Sequence, residues 1–194
     1  MTKVLPIVEG DGDLHAVPVL LRRVLHERLG RFDVQVLPAQ KRGELPKVRQ
    51  EFRRFYLTAL KEDASILWVL DFDCDDCLDH AHEREQLLLQ ARSINPVGRL
   101  DIVFMVKEFE SLFLHDMGAL RSAFPELPGD FSLPRQPESI RGAKEWISKC
   151  LPKGRAYKPT VDQAGLCAKL DLVRLKDVSA SFARFEAAVA ALLN

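Results

Sequence analysis

The sequence predicts an α/β domain built on a parallel sheet of strand order 2-1-3-4, with helices on both faces and a helical C-terminal extension. Short apolar runs alternate with helical patterns over residues 1–122, and three of these runs end in carboxylates. Residues 123–194 then change to a proline-marked loop followed by helical patterns. Repeated strand–helix alternation indicates parallel strands, and we expect residues 123–194 to pack on the core as one compact unit.

The elements follow in chain order. Residues 3–8 read as a first strand that ends at Glu9, and two glycines then lead to Asp13, a predicted helix N-cap. Apolar runs bounded by turn residues predict the other strands, at 32–37, 65–70 and 100–106. Apolar spacing of three and four residues predicts helices at 14–29, 48–60, 78–91, from 112, and at 138–150, 160–170 and 179–193.

Composition suits one compact domain. The 194 residues are 47% hydrophobic, and 28 Lys and Arg balance 28 Asp and Glu, so net charge indicates no partner. The charges cluster, however: an acidic stretch at 71–85 lies between basic stretches at 41–54 and 141–158. This pattern suits a metal site that handles a polyanion, although each basic stretch also fits an ordinary solvated helix face. No run is long and apolar enough for a membrane span, and four cysteines favour a reducing, cytoplasmic location.

Carboxylates follow three of the predicted strands. The pairs are Glu9 with Asp13, Asp71 with Asp73, and Glu108 with Glu110. The order 2-1-3-4 makes the first and third strands neighbours, so we expect Glu9 and Asp71 at adjacent carboxyl ends of the sheet. Clustered carboxylates repel one another unless a cation is present, and Mg²⁺ or Mn²⁺ prefers oxygen ligands. The alternative for an isolated Asp-x-Asp is a solvated acidic loop after a core strand.

Short motifs at these strand ends resemble a known family. Val8-Glu9-Gly10-x-x-Asp13 together with Leu70-Asp71-x-Asp73 resembles the Toprim domain of topoisomerases, primases and overcoming-lysogenization-defect (OLD) nucleases, and is most similar to the OLD branch. The stretch 110–116, the motif Tyr157-Lys158-Pro-Thr and the ending Ser-Phe-Ala-Arg-Phe resemble a Toprim-like bacterial family of unknown function. The cluster Cys74-Asp75-Asp76-Cys77 departs from the Toprim pattern.

The resemblance implies cleavage of nucleic-acid phosphodiesters with Mg²⁺ or Mn²⁺ as cofactor. It implies that Glu9 is a metal ligand or general acid/base, that Asp71 and Asp73 are catalytic metal ligands, and that Asp13 helps to hold a second metal. Glu110 is a further candidate ligand from the neighbouring strand end, without a counterpart in the short motif. The chain has no Gly-x-x-x-x-Gly-Lys-Ser/Thr run, so an ATPase partner would be a separate chain. A role in defence against phage or mobile DNA is also implied.

Basic residues are candidates for substrate contacts. Lys158 is a candidate catalytic residue that stabilises transition-state charge, with the alternative that it is a solvated loop lysine. The candidate nucleic-acid-binding residues are Lys47, Arg49, Arg53, Arg54 and Arg155. No motif selects DNA over RNA, or an oligomeric state.

Other interpretations stay open at this point. Cys74 and Cys77 fit a zinc half-site or a redox pair, but without a second Cys-x-x-Cys they are better read as non-ligands. Two alternative functions are metal-dependent phosphotransfer on a nucleotide and a non-catalytic Toprim-like module that binds or regulates.

Overall fold

The computed structural model describes residues 2–73 and 79–193 and contains a parallel sheet. Its strands are β1 (Thr2–Val8), β2 (Val34–Val36), β3 (Gln40–Lys41), β4 (Ser65–Phe72) and β5 (Leu100–Val106). The order is β2-β1-β4-β5, and β3 pairs with β1 beyond the end of β2. All of these pairs are parallel. The predicted fold class and the order 2-1-3-4 are therefore confirmed, with β3 as a short addition that the sequence pattern did not indicate.

Helices surround the sheet and form the C-terminal part of the chain. They are α1 (Asp13–Arg23), α2 (Leu45–Ala59), α3 (His80–Ile94), α4 (Met117–Ala123), α5 (Ala143–Cys150), α6 (Ala164–Cys167), α7 (Leu172–Val178) and α8 (Ala180–Leu192). Short 3₁₀ segments lie at Leu60–Glu62, Phe109–His115 and Pro137–Ser139. Short π-helical segments lie at Val24–Arg28 and Pro159–Gln163. No helix in the described part of the chain is both long and apolar enough to cross a membrane.

The strands alternate their apolar side chains between two cores, because successive residues of a strand point to opposite faces. On one face Val8, Val69 and Val103 pack with α1 and the C-terminal helices. On the other face Ile7 and Trp68 pack with α2 and α3. Residues after 123 thus contribute to the same core as α1 and the sheet, and α8 lies against β4 and β5.

Several predicted boundaries shift in the structure. The second strand is shorter than 32–37, and Phe32 is 75% exposed. The third helix begins at His80, because the carboxylate of Asp79 accepts the His82 N–H at 2.7 Å as its N-cap. The expected helix at 138–150 begins only at Ala143, after Gly142 takes a left-handed conformation with φ of 74°. Helix α7 was not predicted.

The predicted N-cap at Asp13 is wrong. Gly12 is the N-cap of α1, and Asp13 is its first helical residue. The Asp13 carboxylate instead accepts the N–H of Gly10 at 2.8 Å, which closes the turn between β1 and α1. The cysteine pair Cys74 and Cys77 lies outside the described residues.

Candidate functional site

Glu9 and Asp71 meet at neighbouring strand ends. Strands β1 and β4 pair in register through Val8 and Val69, so the residues that follow reach the same edge of the sheet. The backbone N–H of Asp71 donates a hydrogen bond to Glu9 Oε2 at 3.2 Å. The expected adjacency of these two strand ends is confirmed.

Glu110 joins them from the 3₁₀ turn after β5. The N–H of Phe109, at the start of that turn, donates to Asp71 Oδ1 at 2.8 Å and fixes the turn against β4. The Glu110 side chain is 1% exposed, and its Oε1 accepts the Tyr157 hydroxyl at 3.1 Å. Its Oε2 is buried and has no hydrogen-bond partner within residues 2–73 and 79–193. The Lys144 ammonium lies 3.6 Å from this oxygen.

Asp13 is held by two contacts on the same side of the site. Besides the Gly10 N–H, it accepts Gln163 Nε2 at 2.7 Å through Oδ1. This second contact joins the start of α1 to the π-helical turn at Pro159–Gln163. Gly12 allows the close approach, since a Cβ at this position would overlap Gln163 Oε1 and lie 2.6 Å from Pro159 Cβ.

Lys144 reaches the carboxylates from α5. The carboxylate of Glu108, at the end of β5, accepts the N–H of Gly142 at 3.1 Å and the N–H of Lys144 at 3.3 Å. Glu108 therefore caps the first turn of α5 and places Lys144 beside Glu110. Burial by itself would lower the pKa of Lys144, but the charges of Glu110 and Asp71 outweigh burial and raise it.

The carboxylates carry strongly shifted pKa values. Burial, with the charges of Asp13 and Glu44, raises the pKa of Glu9 to about 7, against the opposing hydrogen bond from Asp71. Burial likewise raises the pKa of Glu110 to about 7, although Lys144 opposes the shift. Burial and the charges of Glu9 and Glu110 raise the pKa of Asp71 well above its ordinary value. These groups compete for ionisation, as expected where carboxylates crowd a partly desolvated site.

Asp73 has different partners from Asp71. Its carboxylate forms salt bridges with Lys107 at 3.0 Å and with Arg141 at 2.9 Å. Lys107 has a left-handed backbone, with φ of 65°, directly after β5. The structure thus brings Glu9, Asp13, Asp71 and Glu110 together, while basic residues engage Asp73 at the rim.

The predicted basic residues lie farther out. Lys158 is exposed, and its backbone N–H donates to Asp162. Arg155 forms a salt bridge with Asp162 at 2.5 Å and lies over the ring of Phe124. In the Tyr157-Lys158 motif it is therefore the tyrosine whose side chain contacts the carboxylate cluster.

The basic residues of α2 are divided between ion pairs and solvent. Arg49 pairs with Glu83 from α3, and Arg54 pairs with Glu51 one turn earlier. Lys47 and Arg53 are exposed. These four side chains lie on a helix that begins just after Glu44, whose charge acts on Glu9.

Sequence reasoning missed Lys144, Tyr157 and Gln163 as parts of the site. Each comes from the C-terminal segment and contacts a carboxylate of the core. The sequence held two signals. One was the Tyr157-Lys158 motif, in which the lysine was chosen as the candidate. The other was Glu108, an acidic strand end, whose role as the cap of α5 depends on contacts 34 and 36 residues along the chain.

The donor set fits a hard divalent cation by its chemistry. The carboxylates of Glu9, Asp71 and Glu110 offer only oxygen, they raise one another's pKa, and the buried Glu110 Oε2 lacks a hydrogen-bond partner within the described ranges. As the side chains stand, no group of three or more His, Cys, Asp or Glu in those ranges has a metal-holding arrangement. The ammonium of Lys144 supplies the compensating positive charge.

Comparison with known proteins gives one structural likeness and one family. The chain is similar to the solved C-terminal region of the Burkholderia pseudomallei OLD protein, with 14% identity, a TM-score of 0.43, and coverage of 100% of this chain and 98% of that chain. No curated protein matches the chain. The profile of the family described as "Domain of unknown function (DUF4276)" matches residues 8–190, and the chain therefore belongs to that family.

Proposed function

We propose that this protein cleaves nucleic-acid phosphodiesters with the help of Mg²⁺ or Mn²⁺, in the manner of a Toprim nuclease. One observation carries the proposal: Glu9, Asp71 and Glu110 meet at three neighbouring strand ends, with raised pKa values and a lysine beside them. Packing alone does not account for this arrangement, because buried carboxylates are costly unless a cation or hydrogen bonds compensate them.

The proposed metal ligands are Glu9, Asp13, Asp71, Asp73 and Glu110. A divalent cation bound there would neutralise the phosphodiester and lower the pKa of an attacking water. Glu9 is a metal ligand or, where the cation is bound by the other carboxylates, a general base, because its pKa, raised to about 7 without a cation, lets it accept a proton near neutral pH. Its hydrogen bond from the Asp71 N–H keeps that carboxylate oriented along the strand edge.

Lys144 is the basic residue that the geometry favours for stabilising transition-state charge. It stands 3.6 Å from Glu110 and is placed by the Glu108 cap, so its ammonium lies beside the carboxylate cluster. The proposal for Lys158 in this role lacks such a contact and rests on the sequence motif. Nucleic acid would approach over Lys47, Arg53 and Arg155 at the rim, together with Arg49 and Arg54.

A second candidate is a non-catalytic module that binds nucleic acid or regulates a partner. Three ion pairs favour it: Lys144 compensates Glu110, and Lys107 and Arg141 both engage Asp73. A chain that has internal cations at these carboxylates needs no metal for its charge balance. The role in defence and the separate ATPase partner remain proposals that come from the family resemblance, and the cytoplasmic location remains a proposal that comes from the cysteine content.

The test is Mn²⁺- and Mg²⁺-supported nicking of plasmid and cleavage of labelled single strands. Wild type, Asp71→Ala, Lys144→Ala and the exposed control Asp177→Ala would be purified identically. We expect wild type and Asp177→Ala to cleave equally. Asp71→Ala should lose at least about 100-fold in rate, the usual scale for removing a group that stabilises transition-state charge.

Two results would contradict the proposal in different ways. Equal cleavage by wild type and Asp71→Ala would identify a contaminant or another site. Absence of cleavage with every substrate, together with calorimetry that shows no Mn²⁺ binding, would leave the non-catalytic module as the function. Asp73→Asn serves as the ligand test, because unchanged metal dependence of its melting temperature would remove Asp73 from the ligand set.

A further inference from the structure

A cavity of about 400 Å³ lies along the outer edge of β5, between α3 and α8. It is separate from the carboxylate cluster and falls within the size range of small-molecule sites. Its wall on α8 consists of alanines, whose small side chains leave open the space that larger ones would fill. The residues that matter here are His80, Arg84, Asp101, Phe104, Ala187 and Arg184.

Arg184 brings a charge into this cavity without a matching anion. Its Nη2 donates to Ser181 Oγ at 2.9 Å and to the Phe104 carbonyl at 3.5 Å. Its Nε is buried and has no hydrogen-bond partner in residues 2–73 and 79–193, and Arg184 forms no salt bridge within the same ranges. Burial lowers its pKa, and only the more distant charge of Glu138 opposes that shift. A partly buried guanidinium is costly unless an anion compensates it.

The other charged groups that line the cavity cancel. Arg84 donates to Asp101 Oδ1 through Nε at 2.9 Å and Nη2 at 2.7 Å. His80 lies at the start of α3 with its ring edge-on to Phe72. Burial and the charge of Arg184 lower its pKa, against the charges of Asp79 and Glu138. The imidazole is able to donate a hydrogen bond in either protonation state. Arg184 therefore leaves the cavity with one net positive charge beside an apolar wall.

We propose that this cavity binds a small organic anion, in which one phosphate or carboxylate group is joined to a flat, largely apolar body of about nucleoside size. The anionic group lies against Arg184 and His80, because Nη2 of the guanidinium is already used by Ser181 and Phe104 and Nη1 is left to donate a charged hydrogen bond to such oxygens. The body of the ligand packs against Phe104 and the alanines of α8. This site is independent of the proposed nuclease centre.

The experiment measures binding to the full chain by calorimetry in EDTA, so that metal-dependent binding at the carboxylates does not contribute. The probes are 5′-AMP, indole-3-acetate, adenosine and inorganic phosphate. We expect 5′-AMP or indole-3-acetate to bind, with the stronger of the two showing which head group is preferred. Adenosine should bind at least about tenfold more weakly than 5′-AMP if phosphate is that group, as expected when a charged hydrogen bond is removed.

Single-residue variants test whether the probes bind in this cavity. Arg184→Gln should weaken the better probe at least about tenfold, and Ala187→Leu, at an exposed position on the wall, should block the apolar part. Arg174→Gln, at an exposed position on α7, is the matched control and should bind as wild type does. The melting temperature of ligand-free Arg184→Met separates ligand binding from a structural role. It should be unchanged or higher, because an uncompensated charge has been removed.

Three results would overturn the proposal. One is that neither anionic probe binds at up to about 10 mM, which is far above the range of a specific site. Another is that adenosine or inorganic phosphate alone binds as well as the better anionic probe. The third is that Arg184→Met melts lower while probe affinity is unchanged, which would make Arg184 a residue that only covers the edge of β5.

Discussion

Lys144 brings a positive charge to the carboxylates of the candidate site. It lies among carboxylates that would otherwise repel one another, and it lowers the pKa of both Glu9 and Glu110 relative to burial alone. An internal cation and a bound metal ion act on the same charges, so they compete for the same carboxylates.

Lys144→Met should therefore make the protein more dependent on metal. In EDTA we expect a lower melting temperature than wild type, because the carboxylates lose their compensating charge. Adding Mg²⁺ or Mn²⁺ should raise the melting temperature of Lys144→Met more than that of wild type. Lys149→Met, at an exposed position on the same helix, is the control and should respond as wild type does. An identical metal response in all three proteins would rule out this competition.

Glu110 should make folding stability depend on pH. Its pKa rises from 4.5 to about 7 on folding, so the folded protein binds more protons than the unfolded chain between these values. The contribution of Glu110 to the free energy of unfolding is fully present below the pKa of the unfolded chain and is lost as pH rises through the pKa of the folded protein. In urea unfolding with EDTA, the free energy of unfolding of Glu110→Gln should fall less steeply than that of wild type as pH rises from about 4.5 to about 7. The difference in slope should be up to about 1.4 kcal/mol per pH unit.

The matched variant for this measurement is Glu85→Gln, at an exposed position on α3. Its pH profile should follow that of wild type. If Glu110→Gln keeps the wild-type slope between about pH 5 and pH 7, Glu110 does not carry a raised pKa. The comparison between variants removes the contributions of groups that do not interact with Glu110, whereas Asp71 and Lys144, whose pKa values depend on the Glu110 charge, contribute to the difference.

At the scale of elements, the site depends on how closely α1 and the C-terminal segment approach each other. The turn before α1 lies against Pro159 and Gln163, and Arg23 at the other end of α1 donates to the carbonyls of Cys167 and Leu170 at 2.9 and 2.7 Å. Both ends of α1 are thus joined to the segment that supplies Tyr157 and Gln163.

Gly12→Ala tests this approach. Its Cβ would overlap Gln163 Oε1 and press on Pro159, so the contact between Gln163 and Asp13 must move. We expect a loss of about 1–3 kcal/mol in the free energy of unfolding, the usual cost of overpacking. Gly165→Ala, in α6 where a Cβ would meet nothing within 4 Å, should be neutral or stabilising by up to about 1 kcal/mol. Equal changes in the free energy of unfolding for the two variants would mean that Gly12 is not closely packed against Pro159 and Gln163.

At the scale of the whole molecule, exposed basic residues lie on a helix that begins near the carboxylate cluster. The exposed Lys47 and Arg53 lie on α2, which begins beside the Glu9 end of the sheet. When these basic residues contact the phosphates of a nucleic acid, counterions are released from the nucleic acid. The affinity would therefore depend on salt concentration.

The double variant Lys47→Gln with Arg53→Gln should bind labelled single-stranded DNA more weakly than wild type at low salt. The slope of log affinity against log salt should become shallower by about 0.7 for each phosphate that the variant no longer neutralises. Lys61→Gln, at an exposed position in the 3₁₀ turn that follows α2, is the control and should keep the wild-type slope. A double variant with wild-type affinity and slope would place the nucleic-acid path elsewhere.

The sequence by itself determined the sheet and the meeting of Glu9 with Asp71. Apolar runs of strand length that alternate with helices leave few parallel topologies, and carboxylates that follow such runs must reach one edge of the sheet. These patterns are local, so they can be read from neighbouring residues. The start of α1 shows the limit of local reading, because Asp13 was expected to cap α1 and instead bonds back to Gly10.

Only the tertiary structure decided how the site is closed. Gln163 contacts Asp13 across 150 residues, Tyr157 contacts Glu110 across 47, and Lys107 reaches Asp73 across 34. No periodicity in the sequence encodes these pairs. The first two arise because the C-terminal segment packs on the same face of the sheet as α1 and carries polar side chains to its carboxyl edge. The third arises because Lys107 and Asp73 follow the paired strands β5 and β4. The arginine left uncompensated beside β5 follows from the same packing, since α8 covers that strand with alanines and with Arg184.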